Sequence, residues 1–338
     1  MDRVAWAIKP SKNYGASANW NWLPRKEAKP LLLGKTVHSN YALKLTVGPL
    51  FFSCKSAAGW LVAARSLTLC WTEPRREGGI EMTSELDESV ARAMETDVQL
   101  LPLLPELLTD LWELGASAEQ IVSALKSVGV EPESTVLDLA CGKGAVAVAL
   151  AERLGLRVEG IEAFPPFLRA ARRLAVERGV SSRCGFRHGD LRKVLAQEAE
   201  YYVVLLLSVG PVSGDHEQTV ADLRTLVRAG GYIVIDDGFL AEGVAHLRGA
   251  EGYAGRSETL RRLTACGDVL AGEVVCSPEE TQAVNERNTD LIRRRARLVR
   301  ASRPDLGQLI DDYVARQERE TQALGTDLIC AIWVLRRV

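Results

Sequence analysis

The sequence predicts an α/β protein with a doubly wound, mostly parallel sheet. Two observations carry this prediction: short apolar strands alternate with helices from residue 135 onward, and a glycine-containing turn follows the first strand. Such alternation is typical of parallel strands that form one sheet with helices on both faces. The composition, 47% hydrophobic and 25% charged residues, is that of an ordinary globular protein.

Three regions differ in their sequence pattern. Residues 1–81 are rich in Lys and Arg, hold most of the tryptophans and show no sustained helical or strand period. One hypothesis is that this region is not part of the native protein and that translation begins at Met82. The rival hypothesis is a genuine basic extension that binds a partner. Residues 82–132 are predicted to form a helical cap, and residues 133–338 the main α/β domain.

Within the cap, apolar residues at helical spacing predict two or three helices between Glu85 and Val128. A leucine-rich stripe that begins at Leu100 is expected to form one helix ending at Gly115. Ser117, followed three residues later by Gln120, is typical of a helix start.

The α/β domain is predicted as alternating strands and helices. Strands are expected at Thr135–Ala140, Arg157–Ile161, Arg183–His188, Tyr201–Ser208, Tyr232–Asp236, Val269–Cys276 and Asp327–Arg336. Helices are expected at Ala145–Leu154, Pro166–Arg178, Leu191–Glu198, Asp215–Ala229, Pro278–Ala301 and Asp305–Leu324. The last two helices form a helical insertion over residues 277–324. The final strand is apolar on both faces, as expected for a strand between two helical layers.

The turn after the first strand carries the clearest chemical signal. Val136–Gly144 reads VLDLACGKG, and its glycines allow positive φ and the close approach of a ligand to the backbone. Ligands of such sheets bind at the carboxyl ends of the strands. Glu162 ends the second strand, where a carboxylate can accept hydrogen bonds from the two hydroxyls of a ribose. The alternative for Glu162 is a solvated acid at a strand end.

Two cofactor classes share this pattern. A nicotinamide dinucleotide site also has a glycine turn, here Gly142-x-Gly144-x-x-Ala147, and an acid about twenty residues later. That site places an anionic pyrophosphate at the helix N-terminus, where Asp138 would repel it. S-adenosylmethionine (SAM) instead carries a cationic sulfonium and an amino group, so Asp138 favours SAM. The alternative for Asp138 is a structural acid bonded to loop amides.

Val136–Gly144 resembles motif I of the class I SAM-dependent methyltransferases, and the resemblance extends over roughly residues 130–338. It implies a seven-stranded, Rossmann-like sheet whose last two strands form a pair split by the insertion. It also implies that the glycine turn holds the methionine part of SAM, that Glu162 binds the ribose and that Asp190 contacts the adenine. The cofactor-binding residues implied are Asp138, Ala140, Gly142, Gly144, Glu162, Ala163, Asp190, Leu191 and Ser208. Ala140 departs from the family pattern, which often has glycine there.

The methyl acceptor is expected to be a small molecule. Methyltransferases that act on adenine or glutamine carry an Asn/Asp-Pro-Pro-aromatic segment after the fourth strand, where this chain has Ser208-Val209-Gly210-Pro211. Cytosine-C5 enzymes need a cysteine nucleophile near that strand, and the sequence has none there. A net charge of −2 gives no electrostatic case for nucleic acid or membrane as a partner. The inserted helices could form a lid over a small substrate, and the alternative, favoured for the run Arg293-Arg294-Arg295-Ala296-Arg297, is a solvated helix face.

A general base is needed only if the acceptor must lose a proton. The candidates are His216, Asp236 and Asp237, which follow the fourth strand or end the fifth. His216 has the most suitable intrinsic pKa, while Asp236 and Asp237 could also orient a substrate or hold a cation. Asp215 is expected to cap the helix that follows it.

The remaining expectations concern location and partners. The seven cysteines show no spacing typical of a metal site, so no metal is expected, and no signal or membrane-spanning pattern is present. We therefore predict a cytoplasmic protein, with no prediction of its oligomeric state. Two alternatives to a methyltransferase stay open: an NAD(P)-dependent oxidoreductase and a non-catalytic SAM-binding protein.

Overall fold

The computed structural model describes residues 84–247 and 252–338. Within them, seven strands form one sheet in the order β3-β2-β1-β4-β5-β7-β6. The strands are Thr135–Leu139 (β1), Arg157–Glu162 (β2), Cys184–His188 (β3), Tyr201–Leu207 (β4), Val227–Leu240 (β5), Val269–Val275 (β6) and Leu328–Arg336 (β7). The strands β1 to β5 run parallel, and β7 is antiparallel to both of its neighbours. The predicted doubly wound α/β fold is confirmed. The hypotheses about residues 1–81 fall outside the described residues.

Ten α-helices surround this sheet in the described part of the chain. They are Ser84–Ala93 (α1), Leu104–Leu107 (α2), Ala118–Ser127 (α3), Ala145–Leu154 (α4), Pro165–Glu177 (α5), Leu191–Leu195 (α6), His216–Arg224 (α7), Arg256–Leu263 (α8), Pro278–Ser302 (α9) and Gly307–Ala323 (α10). Short 3-10 helices cover Val98–Leu103 and Pro304–Leu306.

Helix starts agree with the capping residues that the sequence contains. The side chain of Ser117 accepts a hydrogen bond from the Gln120 amide at the start of α3. The carboxylate of Asp215 accepts one of 3.0 Å from the Gln218 amide at the start of α7. Each interaction satisfies an amide that has no partner within the helix itself.

The leucine-rich stripe from Leu100 does not form one helix, so this prediction is wrong. It is divided into a 3-10 helix and the four-residue α2. Pro102 and Pro105 lie inside the stripe, and a proline has no amide hydrogen to donate to the preceding turn of a helix. The apolar spacing nevertheless has its expected effect, since Leu100, Leu104 and Leu107 are buried.

Two further boundaries differ from prediction near the fifth strand. α7 ends at Arg224 rather than Ala229, and β5 runs from Val227 to Leu240 rather than from Tyr232 to Asp236. The extension beyond Asp236 is paired with β7 as far as the contact between Leu240 and Leu328. This partner lies far away in the sequence, so local pattern could not reveal the strand's full length. The short, mostly polar α8 was not predicted.

The strand β7 lies between two hydrophobic cores. Ile332 and Val334 belong to the core that contains α3 and α4. Ala331, Trp333 and Leu335 belong to the core on the opposite face, with α7. The prediction that both faces of the last strand are buried is confirmed. Full burial of an apolar side chain contributes about 1.5–3 kcal/mol to stability. The side chains of β7 therefore stabilise the packing of helices on both faces of the sheet.

A third hydrophobic cluster joins segments that are far apart in sequence. Leucines from residues 98–111 pack with Ile292 and Val299 of α9 and with Ile310 and Tyr313 of α10. Phe164 and Phe167, at the β2–α5 connection, belong to the same cluster. We call the body formed by α1, residues 98–111, α9 and α10 the lid. α3, although part of the predicted cap region, packs on the sheet instead.

Candidate functional site

The turn between β1 and α4 has the conformation that its glycines predict. Ala140, Gly142 and Gly144 all adopt positive φ, at 57°, 54° and 76°. A Cβ added at Gly144 would lie 2.8 Å from the Cβ of Ala171 on α5. Gly144 is therefore required both for its backbone conformation and for close helix packing. Ala140 is the non-glycine residue of this turn in the left-handed region, which favours glycine.

Asp138 is buried directly before this turn. The residue is 2% exposed, and its Oδ2 atom has no hydrogen-bond partner among the described residues. Burial, reinforced by the nearby charge of Glu162, raises the pKa of Asp138 to about 7. A buried polar atom without a partner is costly. Oδ2 is therefore placed to receive a donor or a positive charge from a ligand.

Glu162 fastens the glycine turn to the end of β2. Its Oε2 accepts a hydrogen bond of 2.8 Å from the Gly142 amide, and its Oε1 accepts one of 2.7 Å from the Phe164 amide. The residue is 8% exposed, so it is not a solvated acid. Burial raises the pKa of Glu162, and these amides oppose that change. Each carboxylate oxygen keeps a further lone pair with which it can accept a ligand hydroxyl. Ala163 follows it at the same edge.

Asp190 caps α6, directly after β3. Its carboxylate accepts a hydrogen bond of 3.0 Å from the Arg192 amide and forms an ion pair of 2.7 Å with the Arg192 guanidinium. Hydrogen bonding to Arg192 lowers the pKa of Asp190. Leu191 packs partly against the adjacent core. A ligand that approaches Asp190 would meet a carboxylate already engaged by a partly exposed arginine.

Ser208, directly after β4, is bonded to Asp236 within β5. Ser208 has a φ of 54°, donates from Oγ to Asp236 Oδ2 at 3.0 Å and donates from its amide to the Asp236 carbonyl at 2.7 Å. Asp236 is 9% exposed. Burial raises the pKa of Asp236 to about 7, with a further contribution from Asp237.

His216 and Asp237 form a separate network that also includes Tyr253. His216 Nε2 lies 3.0 Å from Asp237 Oδ2, and the Tyr253 hydroxyl donates to Asp237 Oδ1 at 2.6 Å. The His216 ring lies edge-on to those of Tyr253 and Trp333, and it is 1% exposed. His216 is therefore buried against Asp237, Tyr253 and Trp333.

The structure brings the predicted residues together in two neighbouring groups. Asp138 and Glu162 border the glycine turn, while Ser208 and Asp236 lie at the end of β4, which pairs in parallel with β1. Asp190 lies farther along the same edge, after β3. Sequence reasoning missed Tyr253, which follows β5 in a segment without a regular pattern.

Lys143 is a second residue that sequence reasoning missed. Its Nζ donates to the carbonyl oxygens of Leu108 and Leu111, at 2.5 and 2.7 Å, and the residue is 6% exposed. Its position between two glycines of a buried turn was the signal that could have identified it.

In the described residues, no group of His, Cys, Asp or Glu side chains is arranged to hold a metal ion. No helix there is long and apolar enough to cross a membrane.

Comparison with known proteins identifies the domain. Residues 136–231 match the family described as "Methyltransferase domain". The chain is 30% identical over 117 residues to geranyl diphosphate 2-C-methyltransferase of Saccharopolyspora erythraea, covering 32% of this chain and 38% of that protein. It is 28% identical over 168 residues to demethylmenaquinone methyltransferase of Thermus thermophilus, covering 49% and 73% of the two chains. The chain thus spans well under half the length of the first of these relatives.

Solved structures agree with this result at the level of the fold. A SAM-dependent methyltransferase from Geobacter sulfurreducens, in complex with S-adenosyl-L-homocysteine, superposes with a TM-score of 0.60 at 19% identity. The superposition covers 70% of this chain and 98% of that one. The predicted resemblance to class I SAM-dependent methyltransferases is confirmed, and the subfamily is not resolved.

Proposed function

We propose that this chain, whose methyltransferase domain has the class I SAM-dependent fold, transfers a methyl group from SAM to a small-molecule acceptor. The observation that carries this proposal is the buried, unpartnered Oδ2 atom of Asp138 beside the glycine turn. A cationic ligand group at this position would supply the missing partner and would favour the ionised carboxylate.

The residues around the turn fit SAM better than a dinucleotide. Asp138 and Glu162 place two buried carboxyl groups beside the turn. The ammonium group of Lys143 does not offset these carboxyl groups at the turn, because it donates to the carbonyls of Leu108 and Leu111. These charges would repel a pyrophosphate and attract the amino and sulfonium groups of SAM. An NAD(P)-dependent oxidoreductase is therefore disfavoured.

For the cofactor residues we propose the roles that the family resemblance implies. Asp138 would hold the amino end of SAM, and the backbone at Ala140, Gly142 and Gly144 would lie against its methionine part. Glu162 and Ala163 would lie at the ribose, Asp190 and Leu191 at the adenine, and Ser208 at the boundary with the acceptor. When bound, SAM supplies a methyl group on a positively charged sulfur that is already activated towards a nucleophile.

The protein's contribution to such a transfer is alignment and the exclusion of water. Alignment of two reactants can lower a barrier by about 7–11 kcal/mol. If the acceptor must lose a proton, Asp236 is the best-placed base of the three candidates. His216 is buried and bonded to Asp237, and both Asp237 oxygens are bonded. Asp236 is engaged by Ser208 through Oδ2, and its pKa of about 7 suits proton transfer near neutral pH.

A small molecule is the acceptor class that the comparisons support. Two of the similar proteins are named for geranyl diphosphate and for demethylmenaquinone. We propose only the class, since neither alignment spans the whole of both chains. The cytoplasmic location expected from the sequence stays a prediction.

Calorimetric titration with S-adenosylhomocysteine and with NADH tests the cofactor. We expect S-adenosylhomocysteine to bind and NADH not to bind. Asp138→Asn keeps the shape of the side chain and removes its charge. Loss of a charge-assisted bond of about 1.5–3 kcal/mol should weaken S-adenosylhomocysteine binding roughly 10- to 150-fold. Asp312→Asn, at a partly exposed carboxylate of α10 that accepts a hydrogen bond from Gln308, is the control and should bind as the wild type does. Tight NADH binding without S-adenosylhomocysteine binding would overturn the proposal.

A labelled-SAM screen against a metabolite library tests the transfer itself. We expect the label to appear in a small organic acceptor. If the protein binds S-adenosylhomocysteine but labels nothing across a broad library, the alternative of a non-catalytic SAM-binding protein gains the support that it now lacks.

A further inference from the structure

A short segment connects the lid to α3 and crosses the edge of the sheet that carries the candidate site. We call residues 112–115 the strap. The Cδ1 atom of Leu114 lies 3.3 Å from the position that a Cβ on Gly142 would take. At the next residue, a Cβ on Gly115 would lie 2.5 Å from the Cβ of Ser208. The strap thus touches both the glycine turn after β1 and the end of β4.

The strap is anchored by a buried charge. Lys143, inside the glycine turn, donates from Nζ to the carbonyls of Leu108 and Leu111, and the second of these residues directly precedes the strap. Its ammonium group lies 5.5 Å from the centre of the Phe167 ring. Burial lowers the pKa of Lys143 to about 8. A buried ammonium is retained only where oxygen acceptors surround it, and here those acceptors belong to the lid.

A second, weaker contact attaches the same segment to the insertion. The Asp110 carboxylate accepts two hydrogen bonds of 2.6 Å from Arg295 on α9. Both side chains are about one-third exposed, and exposed ion pairs contribute only about 0–1 kcal/mol. The charge-assisted bonds of the buried Lys143 are therefore the stronger constraint on the strap.

We propose that Lys143 holds the strap closed over the cofactor site and thereby sets the residence time of the bound cofactor. Ligands of this kind of sheet enter at the carboxyl edge, which is the edge that the strap crosses. Lys143 is a positioning residue, since it acts through the carbonyls of Leu108 and Leu111. The inference rests on the proposed function, because it needs a cofactor at the glycine turn.

Dissociation of tritiated S-adenosylhomocysteine, chased with unlabelled ligand, measures the residence time. Lys143→Met keeps an apolar stem of similar length and removes the donors. We expect its dissociation rate to rise about tenfold or more, which corresponds to about 1.4 kcal/mol, with a smaller change in the association rate. Lys126→Met, at an exposed lysine of α3, is the matched control and should behave as the wild type does.

A second variant tests the strap without touching Lys143. Gly115→Ala places a methyl group against Ser208 and should displace the strap, so we expect the same faster dissociation. Gly185→Ala is its control, because a Cβ there meets no atom within 4 Å. If Lys143→Met does not fold, this pair still tests the premise that the strap retains the ligand, because release from Gly115→Ala at the wild-type rate would refute it. The backbone amides of residues 108–115 should exchange hydrogen faster in Lys143→Met and in Gly115→Ala than in the wild type.

The outcomes separate the two proposals. If the wild type does not bind S-adenosylhomocysteine, the proposed function fails. If it binds but both folded variants release it at the wild-type rate, the role of Lys143 is refuted. Faster association with tighter binding in the variants would also refute it, because the strap would then obstruct the cofactor instead of retaining it.

Discussion

Three buried carboxyl groups at the carboxyl edge differ in what surrounds them. Glu162 is bonded to two backbone amides, Asp236 to one serine hydroxyl, and Asp138 has one oxygen without a partner. Amides and hydroxyls compensate part of the cost of burying a carboxylate. Asp138 receives the least compensation from donors of the protein, so a ligand can reduce the cost of its burial more than that of Glu162 or Asp236.

The position of Asp236 leads to a prediction about pH. A carboxyl group with a pKa of about 7 becomes an effective base as the pH rises through 7. With an acceptor found by the metabolite screen, we expect the methyl-transfer rate to rise across this range. Asp236→Asn should lower kcat by about 10²–10⁴-fold and remove the rise, while S-adenosylhomocysteine affinity changes little. An unaltered pH profile in this variant would exclude Asp236 as the base.

Sequence reasoning at the residue scale identified groups but not their partners. Asp138 and Glu162 could be placed near the edge of the sheet because Asp138 lies close to the end of the first predicted strand and Glu162 follows the second. The pairing of Asp237 with Tyr253 could not be foreseen, because it depends on how the chain returns after β5. His216 was a reasonable candidate for the base by its intrinsic pKa, but only the fold shows that it is buried against Asp237.

At the scale of elements, α4 and α5 meet where one glycine allows close approach. A Cβ at Gly144 would lie 2.8 Å from the Cβ and 3.1 Å from the Cα of Ala171. Backbone atoms and methyl groups cannot move aside as the end of a flexible side chain can. The helix pair therefore depends on the absence of a side chain at this position.

Two glycine substitutions separate the backbone cost from the packing cost. Gly144 and Gly129 have similar positive φ values, 76° and 69°, but a Cβ at Gly129 would meet nothing within 4 Å. We expect Gly129→Ala to lower the free energy of unfolding by about 1–2 kcal/mol, the cost of a left-handed alanine. Gly144→Ala should lose a further 1–3 kcal/mol or so from overpacking. Urea denaturation measures the free energy of unfolding of both variants. Equal losses would show that α5 moves away from the added methyl group at little cost.

The elements that were predicted correctly are those with a strong local pattern. β4 and β7 are continuous apolar runs, and α3 and α7 begin at residues that cap helices well. The extension of β5 depends on pairing with β7, so it has no local signal. The interruption of the leucine stripe did have a local signal, because Pro102 and Pro105 are visible in the sequence. The prediction relied on the apolar spacing and gave these prolines too little weight.

At the scale of the whole molecule, the lid packs together two regions that are far apart in the sequence, the predicted cap and the insertion. Residues 98–111 precede the sheet, whereas α9 and α10 lie between its last two strands. Their common hydrophobic cluster contacts the sheet side through Phe164 and Phe167. The sequence predicted a cap and an insertion separately, and nothing in their local patterns indicated that they pack together.

Stability of the ligand-free protein should depend on pH through the buried Asp138. Its pKa is about 7 in the folded protein and 3.8 as the ordinary value. Below about pH 4 the carboxyl is protonated in both states, so its ionisation does not affect stability. As the pH rises from about 4 to 7, the unfolded chain loses the proton while the folded protein retains it, so stability falls.

Comparison with Asp138→Asn isolates this effect from all other titrating groups. We expect the variant to gain stability relative to the wild type between pH 4 and pH 8, by about 2–4 kcal/mol in the free energy of unfolding. Urea denaturation at several pH values measures the difference. A difference that does not change with pH would show that the Asp138 carboxyl is not protonated in the folded state at neutral pH.

The antiparallel pairing of β7 between β5 and β6 has a consequence for the timing of synthesis. β6 leaves the ribosome before its neighbour in the sheet, and α9 and α10 are translated in between. At about 5–20 residues per second, roughly 3–10 seconds pass before β7 is available. During that interval the open side of β5 and the whole of β6 expose backbone hydrogen-bonding groups. The nascent chain is therefore most prone to aggregation, and most in need of chaperones, in the interval before β7 emerges and pairs with both strands.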